Sequence, residues 1–206
     1  AVYPNLEYKN DEYAELRIKV SNMSETEKEE VIYANGFMYE YGKPEKPLNF
    51  PVSSKFHFSK GDNEVTVYYP LTHGNLKLWS EYSPVLYRLE LRIGEDIQKV
   101  SFGMRNFTAD ETEFLINGKP VFLRGKQDRL IFPLTGFAPT EVEEWIKIFS
   151  TAKSYGINHY HFHTCCPPDE AFTAGDLLGM YLQPEISFCG TLTDSDDENH
   201  TEAEQQ

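Results

Sequence analysis

The sequence predicts a β-sandwich of immunoglobulin-like architecture followed by a truncated (β/α)8 barrel, cut off after its third strand. Three observations carry this. From Ala1 to about Phe107 apolar residues recur with a period of two, the pattern of half-buried strands. From Glu113 to Gly190 the pattern becomes strand, helix, strand, helix, strand, which implies βαβ units and parallel pairing. Polar and ionisable residues gather just after each later strand, where parallel α/β folds place their chemistry. The expected division is a sandwich over residues 1–108 and a barrel segment over 109–206.

In the first half Leu16, Ile18 and Val20 alternate with polar neighbours, as do Val65, Val67 and Tyr69, and Tyr87, Leu89, Leu91 and Ile93. Turn formers punctuate these runs at Ser21-Asn22, Asn35-Gly36, Gly42-Lys-Pro44, Lys60-Gly-Asp-Asn63 and Gly94-Glu-Asp96. About seven short strands result, the number an immunoglobulin-like sandwich needs. The cysteine pair of antibody domains is missing, so only the architecture follows.

The second half opens on Asn117-Gly118, set between Phe114-Leu-Ile116 and Val121-Phe-Leu123. That dipeptide suits a type I′ hairpin turn, whose two central residues need positive φ. The strand is expected to run on to Arg124-Gly125, with a loop from Lys126 to Pro139. Thr140 and Glu143 have the spacing of a capping box, and Val142, Trp145, Ile146, Phe149 and Ala152 share one helical face. Lys153 falls in the last turn, and Gly156 stands where a left-handed cap ends such a helix. A strand from Ile157 to His163 follows. Pro167-Pro168 opens a second helix, with Ala171, Phe172, Ala174, Leu177 and Leu178 on its apolar side. Gly179 closes it, and Met180 to Ile186 reads as a third strand. No G-x-G-x-x-G follows any of these strands, which favours a barrel over a dinucleotide-binding sheet. A complete barrel takes about 250 residues, more than the 206 of the whole chain.

Composition narrows the function. The net charge of −14, from 33 acidic against 19 basic residues, argues against a nucleic-acid partner. Part of the excess lies in the tail from Asp194 to Glu204, which reads as a solvated segment. No apolar run reaches the roughly 18 residues of a membrane span, and no signal peptide is read at the start, which leaves the compartment open. The three cysteines include the adjacent Cys165 and Cys166 and form no C-x-x-C pair, so neither a disulfide framework nor a zinc ribbon is expected.

His159, His161 and His163 alternate along one strand and so face one way. Two or three imidazoles so placed could bind zinc, although a metal-dependent barrel hydrolase would need further ligands from later strands. No cofactor is expected. Cys165 or Cys166 could pair with His163 as a nucleophile, or be a buried inert thiol. Arg124 could orient a carboxylate in the mouth or form an ion pair inside the barrel. Glu185 ends the third strand, a position that in barrels often carries chemistry.

Several motifs resemble glycoside hydrolase family 2, the family of β-galactosidases, β-glucuronidases and β-mannosidases. Leu78-Trp79-Ser80 with Pro84-Val-Leu-Tyr87 resembles the end of its sandwich domain, and Phe102-Gly-Met-Arg105 its linker. Phe114-Leu-Ile-Asn-Gly-Lys-Pro-Val-Phe-Leu-Arg-Gly125 resembles its entry into the barrel. Ile131-Phe-Pro-Leu-Thr-Gly136, Val142-Glu-Glu-Trp145, Lys153-Ser-Tyr-Gly-Ile-Asn158 and Tyr181-Leu-Gln-Pro-Glu185 are similar to a branch common among gut bacterial polysaccharide degraders. The resemblance runs from about Tyr3 to Gly190.

The resemblance implies a carbohydrate substrate and a retaining mechanism, which needs two carboxyl groups about 5–5.5 Å apart. The family's acid/base glutamate follows its fourth barrel strand and its nucleophile the seventh, so neither is expected in this chain. The expectation is a fragment of a retaining glycosidase, inactive alone, from a periplasmic or secreted bacterial parent. The resemblance also implies sugar-contact candidates. His163 matches a family histidine, whereas His161 stands where arginine is usual. Asp128 falls where family members often carry a polar sugar contact, with an ordinary loop aspartate as the alternative. Glu185 is implied to be supportive. Cys165 replaces a tryptophan, and Phe188 could stand in for an aromatic platform or simply pack. The alternative from another class is a non-catalytic carbohydrate-binding or scaffold module. Unpaired barrel strands would invite a homo-oligomer or leave a poorly ordered tail from about Thr191.

Overall fold

The structure, a computed structural model, describes residues 13–48, 51–70 and 77–187. Tyr3, Phe188, Cys189 and the acidic tail lie outside the described residues. The chain divides into two compact units, Ala1–Pro120 and Val121–Gln206.

The first unit carries strands β1 (Tyr13–Asn22), β2 (Lys28–Tyr39), β3 (Lys46–Pro47), β4 (Val52–Phe58), β5 (Gly61–Pro70), β6 (Leu86–Ile93) and β7 (Asp96–Phe102). Two short strands, β8 (Phe107–Ala109) and β9 (Phe114–Ile116), follow, with β10 (Lys119–Val121) at the boundary. One sheet is β1 with β5; the other runs β3-β2-β6-β7, with β4 also on β2. The alternation seen in the sequence becomes register: Leu16 pairs with Val67, Ala34 with Leu91, and Met38 with Tyr87. Leu16, Val67 and Tyr69 from one sheet and Ile32, Ala34, Leu89 and Leu91 from the other form one buried cluster, which makes the unit a sandwich.

One expected turn is not a turn. Asn35-Gly36 sits in the middle of β2, pairing with Glu90 and Leu89 of β6. Glycine is needed there for space, because a Cβ on Gly36 would lie 2.5 Å from the Tyr69 hydroxyl oxygen and 2.8 Å from Leu48. The hairpin turn forms as expected, with φ of 53° at Asn117 and 74° at Gly118. Its Asn117 also reaches back: Nδ2–H donates to the Trp79 carbonyl at 3.0 Å, and Oδ1 accepts the Asn106 N–H at 2.9 Å. Trp79 is fully buried, with Gly103 pressed against its Cβ and ring.

The second unit contains β11 (Gly125–Asp128), α1 (Val142–Ser154), β12 (His159–Phe162), α2 (Asp169–Leu178) and β13 (Tyr181–Pro184). The strands lie in the order β11-β12-β13 and are parallel throughout. Tyr160 and Phe162 of β12 are buried with Trp145, Ile146, Phe149 and Ala152 of α1 and with Ala171 and Ala174 of α2. Both helices therefore cover one face of the sheet. Phe172, expected on the apolar side of α2, is half-buried and stands outside that cluster.

Local details depart from the sequence reading. The first parallel strand begins at Gly125 instead of ending there, so Asp128 is its last residue rather than a loop residue beyond it. The capping box does not form: α1 starts one residue later, with Glu141 at the cap and no side-chain bond. Such a bond is worth about 1 kcal/mol. Burying Trp145, Ile146 and Phe149 contributes roughly 1.5–3 kcal/mol each, so packing holds this helix without the cap. Its other end behaves as expected, with Gly156 at φ 82°. Lys153 bonds outside its own helix, donating to the Leu178 carbonyl at 2.6 Å and the Gly179 carbonyl at 3.3 Å at the end of α2.

Candidate functional site

The C-terminal ends of β12 and β13 are cross-braced by one side chain. Glu185 lies just past β13, and its N–H donates to the Cys165 carbonyl at 3.1 Å. Its Oε1 accepts a bond of 2.5 Å from His161 Nε2, and its Oε2 accepts the Thr164 N–H at 2.6 Å. An ionised carboxylate only accepts, so the proton of the first bond sits on His161 Nε2. The Thr164 amide, then His161, hold the Glu185 carboxyl below its ordinary range; desolvation opposes this, and the charges of His161 and His163 add to it.

Thr164 itself has φ 56°, a left-handed conformation unusual for a β-branched residue. Its hydroxyl donates to the His163 carbonyl at 2.7 Å. His163 stands just after β12, and its N–H donates to the Asp128 carbonyl at 2.8 Å. The rings of His161 and His163 are 5.7 Å apart. Nδ1 of His163 is buried with no hydrogen-bond partner among the described residues.

Of the four residues singled out from the sequence, the structure brings His161, His163 and Glu185 together. Asp128 is not with them. It pairs with Phe162, and Lys126 with Tyr160, so both point to the helix-covered face. Lys126 Nζ lies 4.8 Å from the centre of the Tyr160 ring and 2.6 Å from Asp128 Oδ2. Burial alone would lower the Lys126 pKa, but its bond to Asp128 and the influence of Tyr160 raise it. The other Asp128 oxygen accepts the Leu130 N–H at 2.8 Å, where the backbone turns left-handed.

The face that carries the histidines holds two residues that the sequence reading missed. Gln127 of β11 and Gln183 of β13 pair with His161 from either side, forming a polar row across the three strands. Extending the alternation of His-x-His to the neighbouring strands, once their register is fixed, identifies both. His159 lies lower on the same face. Burial, then the nearby His161, lower its pKa, while a bond to Gln183 works the other way. Its ring presses on Gly125, where an added Cβ would meet Nδ1 at 2.7 Å.

Arg124 is anchored by the backbone of the loop before β12 and by Asn158. Its Nε–H donates to the Gly156 carbonyl at 2.5 Å and its N–H to Asn158 Oδ1 at 2.7 Å, at the opposite end of the sheet from Glu185. Asn158 is 2% exposed and completes this brace through Nδ2–H to the Phe122 carbonyl at 3.0 Å. Cys165 packs against the apolar cluster, and burial, then neighbouring Asp128, Cys166 and Glu185, push its thiol pKa up against the pull of Arg129. That is the setting of an inert thiol, not of an activated nucleophile. Cys166 is exposed. Among the described residues no group of three His, Cys, Asp or Glu is arranged to hold a metal ion. Among them, too, no helix is long and apolar enough to cross a membrane.

Residues 1–105 match the sequence profile of the family described as "Glycosyl hydrolases family 2". A β-galactosidase from Lactococcus lactis is 30% identical over 119 residues, covering 55% of this chain and 12% of that protein. Among solved structures, Bacteroides uniformis β-glucuronidase matches with a TM-score of 0.71 at 21% identity, over 94% of this chain and 23% of its own. A glycosyl hydrolase family 2 member from Bacteroides cellulosilyticus matches with a TM-score of 0.69 at 19% identity, over 85% of this chain and 23% of its own. The chain thus spans about an eighth of the curated relative and under a quarter of these two structures.

Proposed function

Because this chain belongs to glycosyl hydrolases family 2, we propose that it is the sandwich domain and the first three barrel strands of a retaining glycosidase. In this reading residues 1–108 are the supporting domain and residues 109–206 open the barrel. The polar row Gln127–His161–Gln183, with His163 above it, forms part of the sugar-facing wall. The observation that carries the reading is the gathering of His161, His163 and Glu185 at the C-terminal ends of parallel strands, where barrels keep their chemistry.

The chain's own part is binding and orientation. Imidazoles and amides exchange hydrogen bonds with sugar hydroxyls. Retaining hydrolysis needs a carboxylate nucleophile and a carboxyl acid/base about 5–5.5 Å apart. Glu185 is assigned neither role: it follows the third strand, whereas the family's acid/base follows the fourth and its nucleophile the seventh, and its oxygens brace His161 and the Thr164 amide. The purified chain is therefore expected not to turn over aryl β-glycosides, while a parent carrying the remaining barrel does so with retention of configuration. Turnover by the chain alone overturns this assignment of roles.

The same observation keeps a second reading in view, a carbohydrate-binding module without turnover. Titrating isotopically labelled chain with galactose and with glucuronic acid tests the sugar-facing wall common to both. Resonance shifts at Gln127, His161 and His163 are expected, and their absence with both sugars overturns it. A parent that binds sugar at these residues but never cleaves aryl glycosides decides for the module.

A further inference from the structure

We infer that Glu185 is a positioning residue and not a sugar contact: its carboxylate clamps His161 and the strained backbone of Thr164, and so fixes the direction in which His163 leaves β12. The role of His163 as a sugar contact rests on the reading above; the clamp does not.

The geometry is local and complete. A threonine with φ 56° pays a conformational penalty that most β-branched residues avoid. The residue is kept there by a charge-assisted bond of 2.6 Å from its own N–H to Glu185 Oε2. The same carboxylate accepts a hydrogen bond from His161 Nε2–H on its other oxygen. Thr164 in turn bonds the His163 carbonyl through its hydroxyl, and the main chain of Glu185 ties to Cys165 on the far side of the turn. Three consecutive residues after β12 are thus fastened, directly or through a neighbour, to one glutamate on β13's exit. Arginine in place of His161 would carry several donors on a longer arm; histidine has one Nε2–H, which this bond uses. Each Glu185 oxygen thus already accepts one bond from the chain itself.

Charged and titratable neighbours come from every side. His161 on β12 and His163 at its exit act on Glu185 directly; Cys165, bonded to its main chain, is in turn influenced by Asp128, Cys166 and Arg129. The readout is therefore taken at the Thr164 amide itself, which reports the carboxylate it is bonded to.

The test uses the whole chain, labelled with nitrogen-15, and needs no sugar. In the wild type the Thr164 amide resonance is expected to lie downfield and to titrate with a carboxyl midpoint below the ordinary 4.5 of a glutamate. In Glu185→Gln that titration disappears, amide exchange at Thr164 speeds up about tenfold or more, and the His163 ring resonances move. Adding Thr164→Gly to Glu185→Gln returns the His163 resonances towards the wild-type positions, because glycine takes the left-handed step without a clamp. A Thr164 amide that does not titrate in the wild type overturns the inference, and this arm decides even if a variant does not fold. Unchanged exchange and unchanged His163 resonances in a folded Glu185→Gln variant overturn it as well. Sugar-induced shifts at His163 that persist in Glu185→Gln unchanged would leave the sugar reading standing and remove the clamp.

Discussion

Gly36 and Tyr69 touch across the two sheets of the sandwich: a Cβ on Gly36 would sit 2.5 Å from the Tyr69 hydroxyl oxygen and 2.8 Å from its ring carbon. Tyr69 is wholly buried, so its ring has no room to retreat. Gly36→Ala is expected to destabilise the unit by about 1–3 kcal/mol, the usual cost of overpacking. Removing the hydroxyl with Tyr69→Phe in the same chain recovers part of the loss. Urea unfolding of the single and double variants measures both; additive losses refute the contact.

Asn158 fastens the lower end of the parallel sheet through bonds to Arg124 N–H and the Phe122 carbonyl. Asn158→Ala leaves those two backbone groups without the amide. The expected loss is about 1–3 kcal/mol, read by denaturant unfolding of the second unit's tryptophan, Trp145. A change within a few tenths of a kcal/mol contradicts the brace.

The two adjacent cysteines differ in reactivity. Cys165 is held in the apolar cluster with its thiol pKa raised, whereas Cys166 is exposed. With the other cysteines replaced by serine, Cys166 is expected to react with an alkylating reagent faster than Cys165 by about tenfold or more at neutral pH. Equal rates would show that Cys165 is open to solvent.

Glu185 gives the second unit an acid-side pH dependence. Its folded pKa lies below the unfolded value of 4.5. Its contribution is therefore complete above that value and is lost as pH falls through the lower folded one. Unfolding curves between neutral pH and acid are expected to show a drop that Glu185→Gln flattens. The same slope in both proteins would assign the drop to other carboxylates.

Among the described residues the parallel sheet stops at β11 on one side and β13 on the other. Unpaired edges invite pairing, and Ile131, Leu134 and Phe137 are exposed in the loop after β11. The purified chain is expected to self-associate with rising concentration in sedimentation velocity. A monomer over the whole accessible range refutes this.

How far the sequence could be read depends on whether an element's cause is local. The alternation in β1, β5 and β6 is set by burial on one side of each strand, and it was legible. The Asn117-Gly118 turn was legible because both residues tolerate positive φ. Asn35-Gly36 looks the same in one dimension, yet there the glycine answers to Tyr69, thirty-three residues away in sequence. The capping box at Thr140 was a correct local pattern that tertiary packing made unnecessary.

The candidate site divides in the same way. His161 and His163 share a face because strands alternate, and a carboxylate at the end of the next strand falls beside them. The place of Asp128 depends on where β11 begins: a strand starting at Gly125 makes Asp128 its last residue, in register with Phe162 on the face with the helices, and no local pattern marks that start. Gln127 and Gln183 went unnoticed for the same reason, since their alignment with His161 exists only once three strands are in register.

By itself the sequence determined the order of elements, the change of period from two to an alternation of strands and helices, and the residues able to end each one. These follow from side-chain shape and from the preference of apolar groups to leave water. Only the tertiary structure decided which face Asp128 joins, why Gly36 and Gly125 must lack a side chain, and that each Glu185 oxygen accepts a bond from the chain itself. Such facts depend on contacts between residues far apart in the chain, and no local pattern encodes the distance between them.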